Sequence, residues 1–323
     1  MPLLSIITPL HNKEGYIVET IESVLTQSFR DWELIVVENG STDQGPQLVR
    51  AIADPRVRLV VSEKKGPSVA RNLGIQESLG EWIQFLDGDD LLLPDHLQKM
   101  VEAITSNTAS TLVSCDWLEG RELDLDTNAR KYPPNKNPNK DYAASAIAYT
   151  PWVPNAAWVK RELLGEYPWW DEDFDSLLTA EDHVFWFKML LSAKPAYSPH
   201  LGAFYRVDAK NRRHNLSNIQ NYLRVVDFAF QKNIELLRKY NSRLNYFHRK
   251  MLLNSYLEQY LADCGNAELE CQILKRISEF KPALFEAIQH RDMAVIASHF
   301  LPAKIFASIQ RYRRKKASPS GHN

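Results

Sequence analysis

The chain has 323 residues, 44% of them hydrophobic and 24% charged, with a formal net charge of −1. That balance describes a globular protein of one large domain or two modest ones, and it excludes disorder as the default. The lack of a basic excess argues against nucleic acid as the main partner.

Cys115, Cys264 and Cys271 form no CxxC pair, which excludes a disulfide or zinc framework as the organising device and fits a reducing compartment. The N-terminus, MPLLSIITPLHNKE, lacks the basic and apolar regions of a secretion signal. No apolar run approaches the roughly 18–20 residues that span a bilayer. A cytoplasmic protein is therefore expected.

Leu3–Leu10 is a short apolar, β-rich run, as expected of a strand buried on both faces. Gly15–Ser28 places Ile17, Ile21, Val24 and Leu25 on one helical stripe. Trp32–Gly40 reads as a second buried strand, stopped by Asn-Gly. There follow a helix around Gln47–Ala53, a strand at Val57–Glu63 and a helix at Pro67–Ser78 opened by its proline. A strand at Glu81–Leu86 and a helix at Pro94–Ile104 complete the series. Strand and helix in alternation with short links predict an α/β fold with a doubly wound, mostly parallel sheet.

Beyond Asp116 the pattern changes. Arg121–Lys140 is polar and rich in Pro and Asn, which predicts a long loop of the kind that covers a site. A Trp-rich stretch follows, then an amphipathic helix over Ala180–Leu191 and an extended segment over Pro195–Val207. From about Asn218 apolar residues recur at three- and four-residue spacing, so this region is predicted to be helical. In the tail, Ile305, Phe306, Ile309 and Tyr312 accompany Lys304 and a basic cluster from Arg311 to Lys316. That pattern suits reversible contact with an anionic membrane, and equally a solvated terminus.

The chemistry starts at FLDGDDLLLPDHL, where Asp87, Asp89 and Asp90 crowd around Gly88 at the end of the fourth strand. Open α/β sheets bind ligands beyond the carboxyl ends of their strands. His11, Asn12 and Glu14 follow the first strand, and Glu38 and Asn39 end the second, so all are expected on one edge of the sheet. Crowded carboxylates repel one another, and a divalent cation would relieve them. The competing reading is a solvated turn in which Asp90 or Asp95 caps the next helix.

Five segments carry a family resemblance: SIITPLHNKEGYIVETIESVLTQSF, ELIVVENGSTD, GPSVARNLGI, GEWIQFLDGDDLLLPDHL and TAEDHVFWFKM. With YRVDAKNRRHNLS they cover roughly the first two thirds of the chain. In this order and spacing the chain resembles glycosyltransferase family 2, enzymes of the GT-A fold that use nucleotide-sugar donors. The resemblance implies a Rossmann-like nucleotide-binding half over 1–116 and an acceptor-binding half over 117–218. The helical region over 219–323 matches nothing specific.

By the same resemblance, Asp87 faces the nucleoside or sugar and Asp89 binds Mn²⁺ or Mg²⁺, with Asp90 as helper and Gly88 allowing close approach. Such a cation stabilises the departing diphosphate as a Lewis acid. Pro9, His11, Glu14 and Asn39 are expected around base and ribose, and Arg71 near the nucleotide. Asn39 departs from the commoner pair of Asp residues. Its carbonyl still accepts a uracil N3–H, but the base stays open.

Asp182 is expected to be the base that takes the acceptor's proton, with Glu181 positioning. Acids in a first helical turn also favour the macrodipole without any catalysis. Trp152 and Trp158 lie where the family builds its acceptor site, although most such rings are core. Asp208 stands near the place of a common diphosphate-binding His, and Arg212, Arg213 and His214 are candidates to replace it.

The QxxRW signature of processive synthases is missing, which points to one sugar transferred per encounter. The expected function is inverting, metal-dependent transfer from a nucleotide-sugar, UDP foremost, to a glycan or lipid-linked acceptor in surface polysaccharide or lipopolysaccharide synthesis. A GT-A-like nucleotidyltransferase and a non-catalytic nucleotide- or carbohydrate-binding module are the alternatives.

Overall fold

Runs of β-branched and aliphatic residues flanked by turn formers become the middle of a single sheet. The computed structural model describes residues 1–131, 146–177, 180–207, 219–240, 242–261, 267–281, 286, 287, 292 and 295. The chain divides into two compact units, Met1–Tyr142 with Thr150–His214, and Ala143–Tyr149 with Asn215–Asn323.

The first unit holds strands β1 (Leu4–Leu10), β2 (Trp32–Glu38), β3 (Val57–Val61), β4 (Trp82–Phe85) and β5 (Leu91–Leu92). It also holds β6 (Leu112–Gly120), β7 (Ala129–Lys131), β8 (Ala157–Lys160) and β9 (Pro195–Arg206). Among the described residues these form one sheet in the order β3-β2-β1-β4-β8-β6-β9-β5, with β7 added on β6. β1 pairs in parallel with β2 and β4, and β2 with β3. Then β8 enters antiparallel between β4 and β6, so the second half is mixed, although β6 and β9 again run parallel.

Helices α1 (Ile17–Leu25), α2 (Gly45–Arg50), α3 (Pro67–Glu77), α4 (His96–Ser106) and α5 (Glu181–Leu190) flank the sheet. Ile17, Ile21 and Val24 form the buried stripe of α1, and Pro67 opens α3. The segment expected to be a long loop contains β7, which pairs with Trp117–Glu119 of β6. A three-residue, fully exposed edge strand of this kind carries no apolar alternation to betray it. Positions 132–140 of that segment lie outside the described residues.

Leu34, Ile35, Val36 and Val37 of β2 and Ile6 and Ile7 of β1 are fully buried, as strands covered on both faces must be. A block of rings seals the sheet near the end of β4. Phe85 meets Trp170 edge-on at 4.9 Å, and Trp170 stacks on Phe185 of α5 at 4.1 Å. Such pairs contribute about 0.5–1.5 kcal/mol beyond their burial. Here they also fix the first turn of α5 beside the end of β4.

The second unit is helical, with α6 (Ile219–Lys239), α7 (Tyr246–Leu261) and α8 (Ala267–Phe280). Tyr256 meets Phe230 edge-on and stacks on Phe280, while Arg276 bonds Asp227. Among the described residues no helix is long and apolar enough to cross a membrane. The basic tail after residue 302 lies outside the described residues.

Candidate active site

The site grows from the strand ends. Asn12, just past β1, adopts a left-handed φ of 53°. Its side-chain amide oxygen accepts the Thr42 N–H at 2.8 Å. Glu14 accepts from the Gln44 N–H at 2.9 Å, and its own N–H donates to Asp43 at 2.8 Å. The loops after β1 and β2 are thus fastened to each other, and Glu14 serves that fastening.

Pro9 sits within β1 opposite Val37. His11 is exposed, with Nδ1 3.2 Å from the Asn39 carbonyl. The Asn39 side chain accepts the Gly66 N–H at 2.7 Å and donates to the Lys64 carbonyl at 2.8 Å. An aspartate could not make the second bond, which gives the departure from the family pattern a structural reason.

Arg71 of α3 is the centre of the arrangement. It is 3% exposed, donates to Asp87 at 2.7 Å and to Glu181 at 3.3 Å, and lies 4.4 Å over the Trp170 ring. Burial works against its charge, but Asp87 and Glu181 outweigh that effect, so the guanidinium sits above its ordinary pKa. One cation therefore joins the loop after β4 to the first turn of α5.

Asp182, the next residue, is partly exposed and accepts from the His183 N–H at 2.8 Å. Burial, then the neighbouring Glu181 carboxylate, push its pKa up to about 7, with Arg71 pulling the other way.

In the loop after β4, Asp89 pairs with Lys13. A side chain at Gly88 would stand 3.2 Å from the Pro9 carbonyl, so the loop lies directly against the end of β1. Asp90 is 1% exposed. One of its oxygens accepts the Arg206 N–H at 2.8 Å, and Oδ2 is buried without a hydrogen-bond partner. Burial, then Asp89 and Asp87, push its pKa well above the carboxylate range.

A buried carboxyl with an orphaned oxygen, beside a second acid already met by an ammonium group, is an all-oxygen donor set that fits a hard divalent cation. Mg²⁺-type ions commonly take one or two carboxylates and complete their shell with substrate phosphates.

Trp152 and Trp158 are corrected from acceptor candidates to core. Trp152 is 1% exposed and meets Trp186 edge-on, and Trp158 is 0% exposed and meets His96 edge-on. Neither offers a face to a sugar. Asp208, Arg212, Arg213 and His214 lie outside the described residues.

Four residues enter that the sequence reading did not single out. Lys13 pairs with Asp89. Arg206 bonds the Asp89 carbonyl at 2.8 Å and Glu19 at 2.7 Å. Tyr205 is kept neutral by burial and by Asp90, Asp87 and Asp182. Asp175 accepts the Ser68 and Val69 N–H groups, at 2.8 and 3.0 Å, at the start of α3. Nothing local in the sequence marks them: Lys13 and Arg206 lie 76 and 117 residues from Asp89, and Asp175 lies 107 residues from Ser68. Replacing Asp175 with Ala is expected to cost about 1 kcal/mol, the worth of a helix cap, measured as a lowered midpoint in urea.

Residues 5–160 match the model for glycosyl transferase family 2. Over 125 residues the chain is 39% identical to the succinoglycan biosynthesis protein ExoO of Rhizobium meliloti, a match covering 38% of this chain and 35% of ExoO. A further curated relative is matched over 55% of its length, so the chain spans about half or less of these relatives.

Staphylococcus aureus TarS 1-349, solved in complex with UDP, superposes with a TM-score of 0.65 at 19% identity, covering 97% of this chain and 91% of that one. The mannosyltransferase PcManGT of Pyrobaculum calidifontis, solved with GDP-Man and Mn²⁺, gives a TM-score of 0.57 at 20% identity, covering 96% of this chain and 84% of that one. These two share the fold, which is GT-A-type. The segment over residues 5–160 is thus a glycosyltransferase family 2 segment, carried on a fold of GT-A type.

Proposed function

We propose that the chain is an inverting, metal-dependent glycosyltransferase that moves one sugar from a nucleotide-sugar to a hydroxyl of a glycan or lipid-linked acceptor. The observation that carries this reading is the double pairing of buried Arg71 with Asp87 and Glu181. It holds the acids of the loop after β4 next to the acids of α5, so one group can meet a donor while another meets an acceptor.

Glu181 is engaged by Arg71, whereas Asp182 is partly exposed with a pKa near neutrality, the property a general base needs. Attack from the Asp182 side, opposite the diphosphate, inverts the anomeric carbon. Asp89 with Asp90 would hold Mn²⁺ or Mg²⁺, which when bound supplies Lewis-acid stabilisation of the departing diphosphate. Lys13 adds positive charge at the same place. Arg206 holds the Asp89 carbonyl and the Asp90 carboxylate in position, and Tyr205 presents a neutral hydroxyl among the acids.

UDP is taken as the nucleotide in this proposal; TarS was solved with UDP and PcManGT, on the same fold, with GDP-Man, so the donor test includes both. Polysaccharide synthesis is supported by the likeness to ExoO, a succinoglycan biosynthesis protein, and a place on the cytoplasmic face of the membrane is part of the proposal. Membrane contact through the basic tail belongs to the same proposal.

The test is release of nucleoside diphosphate from nucleotide-sugars, with and without chelator. Asp89→Asn is expected to lose about 10²–10³ in turnover, since metal stabilisation supplies several kcal/mol. Pyrophosphate release would instead indicate a nucleotidyltransferase, and nucleotide binding with no release a binding module. Wild-type turnover in Asp89→Asn and in chelator would end the metal-dependent reading.

A further inference from the structure

A second constellation lies in the first unit, apart from the carboxylates. His96 opens α4, Cys115 lies in β6 and His200 in β9. His96 Nδ1 stands 3.1 Å from His200 Nε2 and 3.9 Å from Cys115 Sγ, and the three donor atoms all lie within 4.8 Å of one another. Two ligands of one tetrahedral zinc, with Zn–N about 2.0–2.1 Å and Zn–S about 2.3 Å, stand roughly 3.3–3.6 Å apart. The triangle is already close to that size. We propose that His96, Cys115 and His200 form a binding site for a borderline-soft transition-metal ion, zinc foremost.

The backbone is shaped around this point. Along the parallel β6–β9 pair, Cys115 faces Ser198, Asp116 faces Leu201 and Trp117 faces Ala203. Pro199, His200 and Gly202 are therefore extra residues, and bulges of this kind re-aim a side chain beside a site. A Cβ built on Gly202 would fall 2.2 Å from His96 Nδ1, 2.7 Å from Cys115 Sγ and 2.7 Å from His200 Nε2. Any side chain at 202 would collide with all three donors, so glycine is what lets them converge. The Gly202 N–H also bonds the sulfur.

The competing arrangement is a metal-free hydrogen-bond chain. Gln84 lies 2.9 Å from His96 Nε2, His96 contacts His200, and His200 contacts Ser198 at 2.8 Å. It leaves Gln84 Oε1 buried without a partner. With an ion on Nδ1, the His96 proton moves to Nε2, and the Gln84 amide turns to accept it, giving up its 2.7 Å bond to the Asn155 carbonyl. His200 is partly exposed and offers the route in, while His96 and Cys115 are buried. Three protein ligands leave a fourth position for water. The N₂S set favours zinc over Mn²⁺ or Mg²⁺, which the all-oxygen site after β4 favours. An ion here would brace the base of the segment that carries that loop, since the Leu93 N–H bonds the Gly202 carbonyl at 2.9 Å.

The test uses the full chain, stripped with chelator and titrated with Zn²⁺, and with Co²⁺ as a spectroscopic probe. One saturable zinc and a near-ultraviolet thiolate-to-cobalt band are expected. Cys115→Ser should remove the band, and Cys271→Ser should keep it. His200→Asn, at the exposed side and so tolerated by the fold, should weaken Zn²⁺ binding at least about tenfold. Asp89→Asn should leave Zn²⁺ binding unchanged, which separates this site from the proposed catalytic metal. No saturable zinc in the wild type, or unaltered affinity in His200→Asn, would overturn the proposal. The second result decides even where Cys115→Ser does not fold.

Discussion

Asp182→Asn is expected to lower kcat by about 10²–10⁴-fold, the range supplied by a positioned general base, while donor affinity measured by calorimetry stays near wild type. The reason lies in how the two adjacent acids are used. Glu181 is bound to Arg71, whereas Asp182 is partly exposed beside it. Amide replaces carboxylate with almost no change of volume, so loss of rate without loss of donor binding isolates the proton acceptor. Should Asp182→Asn keep its rate and Glu181→Gln lose it, the base is Glu181.

The pH profile gives an independent reading of the same residue. With a pKa pushed up to about 7 by burial and Glu181, kcat should climb about tenfold per pH unit below neutrality and level off above it. The stability term has the opposite slope. The folded-state pKa lies above the ordinary value of 3.8, so the folded protein holds the extra proton between about pH 4 and 7. Stability from this group is therefore full below about pH 4 and falls as pH rises through 7. In Asp182→Asn both the kinetic limb and this fall should vanish together.

The first four strands were legible because each is a short apolar run with a turn signal after it, and parallel pairing follows from helices between them. β8 was not. Ala157–Lys160 sits inside a Trp-rich stretch, and its antiparallel insertion between β4 and β6 is a choice among long-range pairings that no local pattern encodes. The Trp residues show the same limit. A ring that stacks on a sugar and a ring that fills a core are the same residue in sequence, and only burial separates them.

At the site, Asp87, Arg71 and Glu181 were nameable as motif members, but their contact was not. Residues 71 and 181 are brought together by α3 and α5, and the distance along the chain hides it. The histidine–cysteine cluster was hidden likewise: 96, 115 and 200 have no zinc-like spacing, and a strand bulge does the aiming.

Arg71 offers the largest expected loss of stability. Arg71→Met should cost about 3–5 kcal/mol, the penalty for removing one partner of a buried ion pair and abandoning the other. Two carboxylates are left, Asp87 with a side chain 29% exposed and Glu181 with one 9% exposed, so Glu181 should account for most of the penalty. Arg71→Lys tests geometry against charge. An ammonium keeps the charge but cannot fork to Asp87 and Glu181 while lying flat over Trp170, so an intermediate loss is expected. Urea denaturation at several pH values checks the cause. The deficit of Arg71→Met should shrink as acid protonates Asp87 and Glu181, which a simple packing defect would not do. A loss under about 1 kcal/mol, the scale of an exposed pair, would mean that Asp87 and Glu181 do not depend on Arg71, and the join between the two acidic segments would have to be made by something else.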